Sequence, residues 1–231
     1  MQPPQKQKRS HHSEICVLCG KNVATTRDHL PPEGIFHKPL PSKSNLITVP
    51  ACAECNNGSS LTDEDFQAFL ALSVGHRTPS GTTFFQQKGR ATVLANRSRF
   101  EAIRSQMSSI DVVDPNGQYL GRAPTIRWDG RVFETLILRL IRGLYWHHTR
   151  TILPQDSNIE IQWPKAMPTE AIKLVREMQC EHAGIRTIGD QFAYCFMVLP
   201  ENNGHSLWIF EFHQCFLATG FTMPPGYVLA P

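Results

Sequence analysis

The chain has 231 residues, of which 41% are hydrophobic and 19% charged; this supplies a core and excludes disorder throughout. No run approaches 18 consecutive apolar residues, so no membrane-spanning helix is predicted. The formal net charge of +3 hides a division along the chain: residues 84–150 carry 11 basic and 5 acidic side chains, and residues 151–231 carry 4 and 8. A basic middle third suits a polyanionic partner, and it suits a solvated helix face equally well.

Residues 1–13, rich in Pro, Gln, Lys and Ser, read as a flexible basic tail. No apolar stretch follows these charges, so no secretory signal is expected. Seven cysteines, an odd number, fit poorly with a closed disulfide framework. Both features point to a reducing cytoplasm, where thiols serve as ligands.

Residues 14–60 are dense in Cys, Pro, Asn and Gly and predict loops, tight turns and a short hairpin, with a strand over Asn45–Val49. Thr62 and Asp65 resemble a capping box. Phe66, Phe69, Leu70 and Ser73 then recur at helical spacing, and Gly75 with Pro79-Ser80-Gly81 closes that helix. We place a boundary here, between a module at 14–78 and a larger domain at 79–231. In the larger domain the periodicity predicts helices over Arg97–Met107, Arg131–His148 and Thr169–Gln179, and a strand over Glu160–Trp163. Phe192–Leu199 and Ser206–Phe212 flank a five-residue loop at Pro200–Gly204 and read as a hairpin. The fold class expected is α+β. Cys180, Cys195 and Cys215 lie in apolar surroundings and read as buried core thiols, and His147 and His148 as caps on the last carbonyls of their helix.

Two C-x2-C pairs, Cys16/Cys19 and Cys52/Cys55, stand 32 residues apart. Four thiolates from two such knuckles suit a tetrahedral Zn2+, and a site closed by four cysteines is structural because it leaves no open coordination position. A redox C-x-x-C belongs at a strand-to-helix turn of a βαβ unit, and residues 1–60 show none. A module of this size buries too little surface to fold well alone, so the metal would supply much of its folding free energy.

Between the knuckles lie Arg27-Asp28-His29-Leu30-Pro31-Pro32 and Ser44-Asn45-Leu46, and Asn56-Asn57 follow the second pair. In this order the residues resemble the HNH endonucleases, the His-Me finger or ββα-metal class; the resemblance covers about residues 14–75. It implies His29 as general base, Asn45 as the residue that orients the His29 loop, and Asp28 with Asn56 as ligands of a catalytic Mg2+ or Mn2+, with Asn57 as the alternative to Asn56. The chemistry is consistent with this. An imidazole, with an ordinary pKa of about 6.5, can take a proton from water at neutral pH, and hard oxygens suit Mg2+.

Arg27 and the cluster Lys88, Arg90, Arg97 and Arg99 are candidate phosphate contacts, as are solvated helix positions of the same kind. The expected function is phosphodiester hydrolysis, of DNA above all, with the C-terminal domain positioning substrate, a second copy or a partner protein. Two alternatives stand beside it: a non-catalytic, zinc-stabilised nucleic-acid-binding module, and a ribonuclease acting as toxin or phage-defence effector.

Overall fold

The structure, a computed structural model, describes residues 14–40, 46–95, 97–127, 130–165, 168–177, 183–199 and 204–226. Near its N-terminus β1 (Thr26–Leu30) pairs antiparallel with β2 (Ile47–Ala51), His29 standing opposite Thr48 and Arg27 opposite Pro50. The strand expected over 45–49 thus runs two residues later. Pro50, which has no N–H to give, uses its carbonyl to accept a bond from Val17 at 3.1 Å. The short helix α1 (Ala53–Asn57) and the longer α2 (Ser60–Val74) follow. α2 begins ahead of the expected capping box at Thr62 and ends at Gly75 as expected.

Pro79 does not close a helix; it opens one. Thr78 accepts a bond from the Gly81 N–H at 3.0 Å and caps α3 (Pro79–Phe84), where proline occupies a first-turn position. A π turn (Phe85–Gly89) leads into α4 (Arg90–Ala95) and α5 (Arg97–Ser105). The hairpin of β3 (Met107–Val113) and β4 (Tyr119–Ile126) comes next, and no sequence pattern announces it. α6 (Gly130–Thr149) and β5 (Asn158–Gln162) lie where the periodicity puts them, as does α7 (Thr169–Glu177). β6 (Ala183–Ile188), β7 (Phe192–Leu199), β8 (His205–Phe212) and β9 (Phe216–Met223) complete a five-stranded antiparallel sheet of order β5-β9-β8-β7-β6. Helices and strands mix as the α+β class requires. No helix among the described residues is long and apolar enough to cross a membrane.

α6 holds the molecule together. Its stripe of Phe133, Leu136, Ile137, Leu140, Ile141 and Leu144 is buried. A Cβ at Gly143 would stand 2.0 Å from Leu30 Cδ1 and 3.4 Å from Val49 Cγ2, so the helix lies directly on the β1–β2 hairpin. A Cβ at Gly220 of β9 would stand 2.3 Å from Ile141 Cδ1, so the same helix lies as closely on the large sheet. The boundary expected near residue 78 therefore does not separate one core from another: a single apolar cluster runs from Cys16, Leu30 and Val49 through α2 and α6 to Trp208 and Phe212.

The helix-terminal histidine His148 does not cap. Its ring stacks on Phe196 with centroids 3.7 Å apart, and its Nε2 lies 3.0 Å from the Tyr194 hydroxyl. Thr149 bonds the Tyr145 carbonyl instead. Burial lowers the His148 pKa to about 3 and that of His213, which lies between Ser80 and the Ile35 carbonyl, to about 4. Cys195 is buried as expected, Cys215 is half-buried, and Cys180 lies outside the described residues.

Two outcomes follow from this packing. Gly143→Ala should lower stability in denaturant unfolding: overpacking against a fully buried leucine costs about 1–3 kcal/mol, against about 1 kcal/mol gained in helix propensity. In the second case, His148 and His213 stay neutral in the fold while the unfolded chain takes up protons near pH 6.5. Their contribution is intact above that pH and is lost as pH falls toward 4, His213 alone accounting for about 3 kcal/mol. Melting midpoints compared from pH 7 to 5 should fall less in His148→Phe, which keeps the stack and has no proton to take up; the comparison cancels the opposing effect of buried carboxyls.

Candidate metal centre and histidine site

Two tight turns deliver the cysteines. In the first, the Cys16 N–H bonds the Asn22 carbonyl and the Gly20 N–H bonds the Cys16 carbonyl, each at 2.8 Å. Gly20 has φ +63°, where a side chain would be strained. In the second, Cys52 caps α1 and its Sγ accepts from the Cys55 N–H at 3.4 Å. The bond from Val17 to Pro50 joins the two turns. All four Sγ atoms lie within 4.8 Å of one another. A tetrahedral zinc with Zn–S bonds of about 2.3 Å needs sulfurs about 3.8 Å apart, so the spacing and the soft donor set both suit such an ion. The four cysteines can hold a metal ion. The Cys55 N–H is the main cause that lowers the Cys52 thiol to about 7, while burial, aided by the neighbouring sulfurs, pushes the Cys55 thiol up. Gathered thiols share negative charge poorly without a cation among them.

β1 separates the Asp28-His29 pair. Successive strand residues face opposite ways, and the burial of β1 follows that rule: Asp28 and Leu30 are buried, Arg27 is exposed, and the His29 side chain is 41% exposed. His29 Nε2 lies 3.4 Å from Glu33 Oε1. Glu33 stands in a 3₁₀ turn (Glu33–Ile35) just after Pro31-Pro32. Sequence reasoning passes over this carboxylate, although its place four residues beyond the histidine, past two prolines, is open to notice.

Asp28 turns inward and meets a cation of the protein itself. Its Oδ2 lies 3.2 Å from Arg139 Nε, and Arg139 Nη2 donates to Asp63 Oδ2 at 2.8 Å. Asp28 and Arg139 are both 7% exposed. Burial raises both carboxyl pKa values, with Arg139 opposing it. Asn56 is anchored from the other side, its Nδ2 donating to Thr26 Oγ1 at 3.2 Å and to the Arg27 carbonyl at 3.3 Å. The structure gives Asp28 a guanidinium partner and turns it to the face of β1 opposite His29. That guanidinium takes the carboxylate's charge and would compete with a divalent cation for Asp28. Asn45 lies outside the described residues.

The candidate phosphate contacts lie on several elements. Lys88 is half-buried in the π turn, Arg90 and Arg97 are exposed on α4 and α5, and the side chain of Arg99 lies outside the described residues. Arg27 stays with the hairpin, where its Nε donates to Thr48 Oγ1 at 3.1 Å and its Nη2 to the Thr48 carbonyl at 3.0 Å. The residues gathered around Arg27 are Arg150 and Arg186, which sequence reasoning does not connect with it.

No protein-family model, no curated protein and no solved structure matches the chain.

Removing the buried cation should be costly. Arg139→Met leaves Asp28 and Asp63 facing each other without compensation and should destabilise the fold by about 3–5 kcal/mol at pH 7. The loss of the cation raises both folded-state carboxyl pKa values further, so protonation relieves the variant first. The stability gap between variant and wild type, read by urea unfolding, should narrow as pH falls toward 5.

Proposed function

We propose that the chain is an HNH-type nuclease that hydrolyses phosphodiester bonds of DNA, with His29 as general base and with a structural zinc held by Cys16, Cys19, Cys52 and Cys55. The observation that carries this reading is the outward-facing imidazole of His29 on a hairpin whose second strand runs straight into the cysteine-capped helix α1. That is the order of elements the resemblance implies. The zinc pins both knuckles, and through them the hairpin, so that the imidazole is carried on a fixed strand.

The Glu33 carboxylate stands 3.4 Å from the His29 Nε2, and the role read for the ring is to take a proton from the attacking water. Arg27, next but one along β1 on the same face, offers guanidinium N–H groups to a phosphate oxygen.

A second reading has an observation of its own. The Asp28–Arg139 ion pair favours a zinc-stabilised module that binds nucleic acid without cutting it. One assay separates the two. Supercoiled plasmid, single-stranded DNA and total RNA are incubated with the protein in Mg2+, in Mn2+ and in neither. Wild type should nick plasmid, and His29→Ala should reduce cleavage by about 10²–10⁴-fold with its melting midpoint unchanged. Cleavage of RNA alone would move the substrate to the ribonuclease alternative. No cleavage of any substrate, or cleavage that His29→Ala leaves intact, would leave the binding module as the better account.

A further inference from the structure

A cavity of about 450 Å3 opens where three regions of the fold meet: the β1–β2 hairpin, the C-terminal end of α6, and strands β6 and β7. That volume lies within the range of small-ligand sites. Arg27, Thr48, His147, Arg150, Arg186 and Tyr194 give it its chemistry, with aliphatic side chains between them, and no carboxylate lines it among the described residues.

Each arginine is held by something other than an acid. Arg27 spends two of its N–H groups on Thr48. Arg150 lies over the Trp146 ring at 4.9 Å from its centroid. Arg186 lies over Phe196 at 5.8 Å and gives one bond to the Ile185 carbonyl at 3.0 Å. A guanidinium has five N–H groups, so among the described residues most of the donors in this cavity are unspent. Among those residues no acid pairs with them either. Beyond its burial, His147 feels Arg150 and Arg186 strongly enough for both to press its pKa down.

Three like charges around one opening repel one another, and the backbone at one of them is in an uncommon conformation. Arg150 closes α6 with φ 59°, its N–H bonded to the Trp146 carbonyl at 2.8 Å. That left-handed position is where glycine ordinarily ends a helix without strain. An arginine kept there places a guanidinium at the mouth of the cavity.

We propose that this cavity binds a phosphate group, carried either at the end of a nucleotide or in a polynucleotide backbone, on the unspent donors of Arg27, Arg150 and Arg186. Guanidinium forks match the oxygens of a phosphate, and the aliphatic and tyrosine walls leave room for the sugar or base attached to it. The site shares the hairpin with His29 through Thr48, which stands opposite His29 and also lines the cavity. Its anion chemistry does not depend on the nuclease reading.

The test is calorimetric titration at low salt with inorganic phosphate, a nucleoside 5′-monophosphate, and one short DNA strand prepared with and without a 5′-phosphate. Arg150→Gly relieves the strained φ and should keep or raise the melting midpoint while weakening binding by about tenfold or more. Arg186→Gln should weaken it similarly. Binding confined to phosphate, the mononucleotide and the 5′-phosphorylated strand would identify a terminal phosphate as the ligand. Equal binding of both strands, lost in the two arginine variants, would identify backbone phosphate; either result supports the site. If none of the four binds, or if binding survives both arginine substitutions, the proposal is overturned.

Discussion

Four sulfurs from two turns converge on one small volume in the N-terminal region of this protein. Cys16 and Cys19 come from a turn closed by Gly20, and Cys52 and Cys55 from the first turn of α1. The β1–β2 ladder, the Val17–Pro50 bond and the Asn22 side chain, which donates to Cys52 Sγ at 3.7 Å and to Glu54 Oε2 at 3.3 Å, join these segments. A shared metal would turn two turns and a two-stranded ribbon, marginal in isolation, into a rigid mount. The pairing of β1 with β2 and its packing on α6 set which side chains it presents, His29 among the exposed ones.

The other half of the mount is α6. Glycine at 143 lets the helix lie on Leu30 and Val49, and glycine at 220 lets the large sheet lie on its Ile141 side. The helix also brings two arginines to opposite tasks. Arg139 is buried between Asp28 and Asp63 and neutralises charge from two other elements. Arg150, at the end of the same helix, stays in solvent beside Arg186. The C-terminal region shares its apolar core with the N-terminal one. It completes the core beneath the hairpin and forms two walls of the cavity next to it.

What can be read from the sequence is what repeats or is spaced. α6 and the β7–β8 hairpin follow from periodicity, and the cysteine knuckles from C-x2-C spacing. The loop after α2 misleads because proline signals both an end and a beginning: Pro79 reads as a stop, while Thr78 before it makes it a start. β3 and β4 escape because none of their residues is buried, leaving no core-facing stripe to detect. At the site, reading Asp28 and His29 as neighbours facing one substrate overlooks that successive strand residues point apart. The partners that settle their surroundings, Arg139 for Asp28 and Arg150 with Arg186 for Arg27, are remote in the chain and carry no local signal. Glu33 is near enough to find.

The central claim is that a single ion sits among the four cysteines and carries the histidine strand. Elemental analysis of the purified chain joined to X-ray absorption at the zinc edge addresses it most directly. The account expects one zinc per chain with four sulfur neighbours at about 2.3 Å. A chain that is folded yet metal-free, with all four thiols open to reagent, would contradict it, as would a zinc bound by nitrogen or oxygen in place of sulfur.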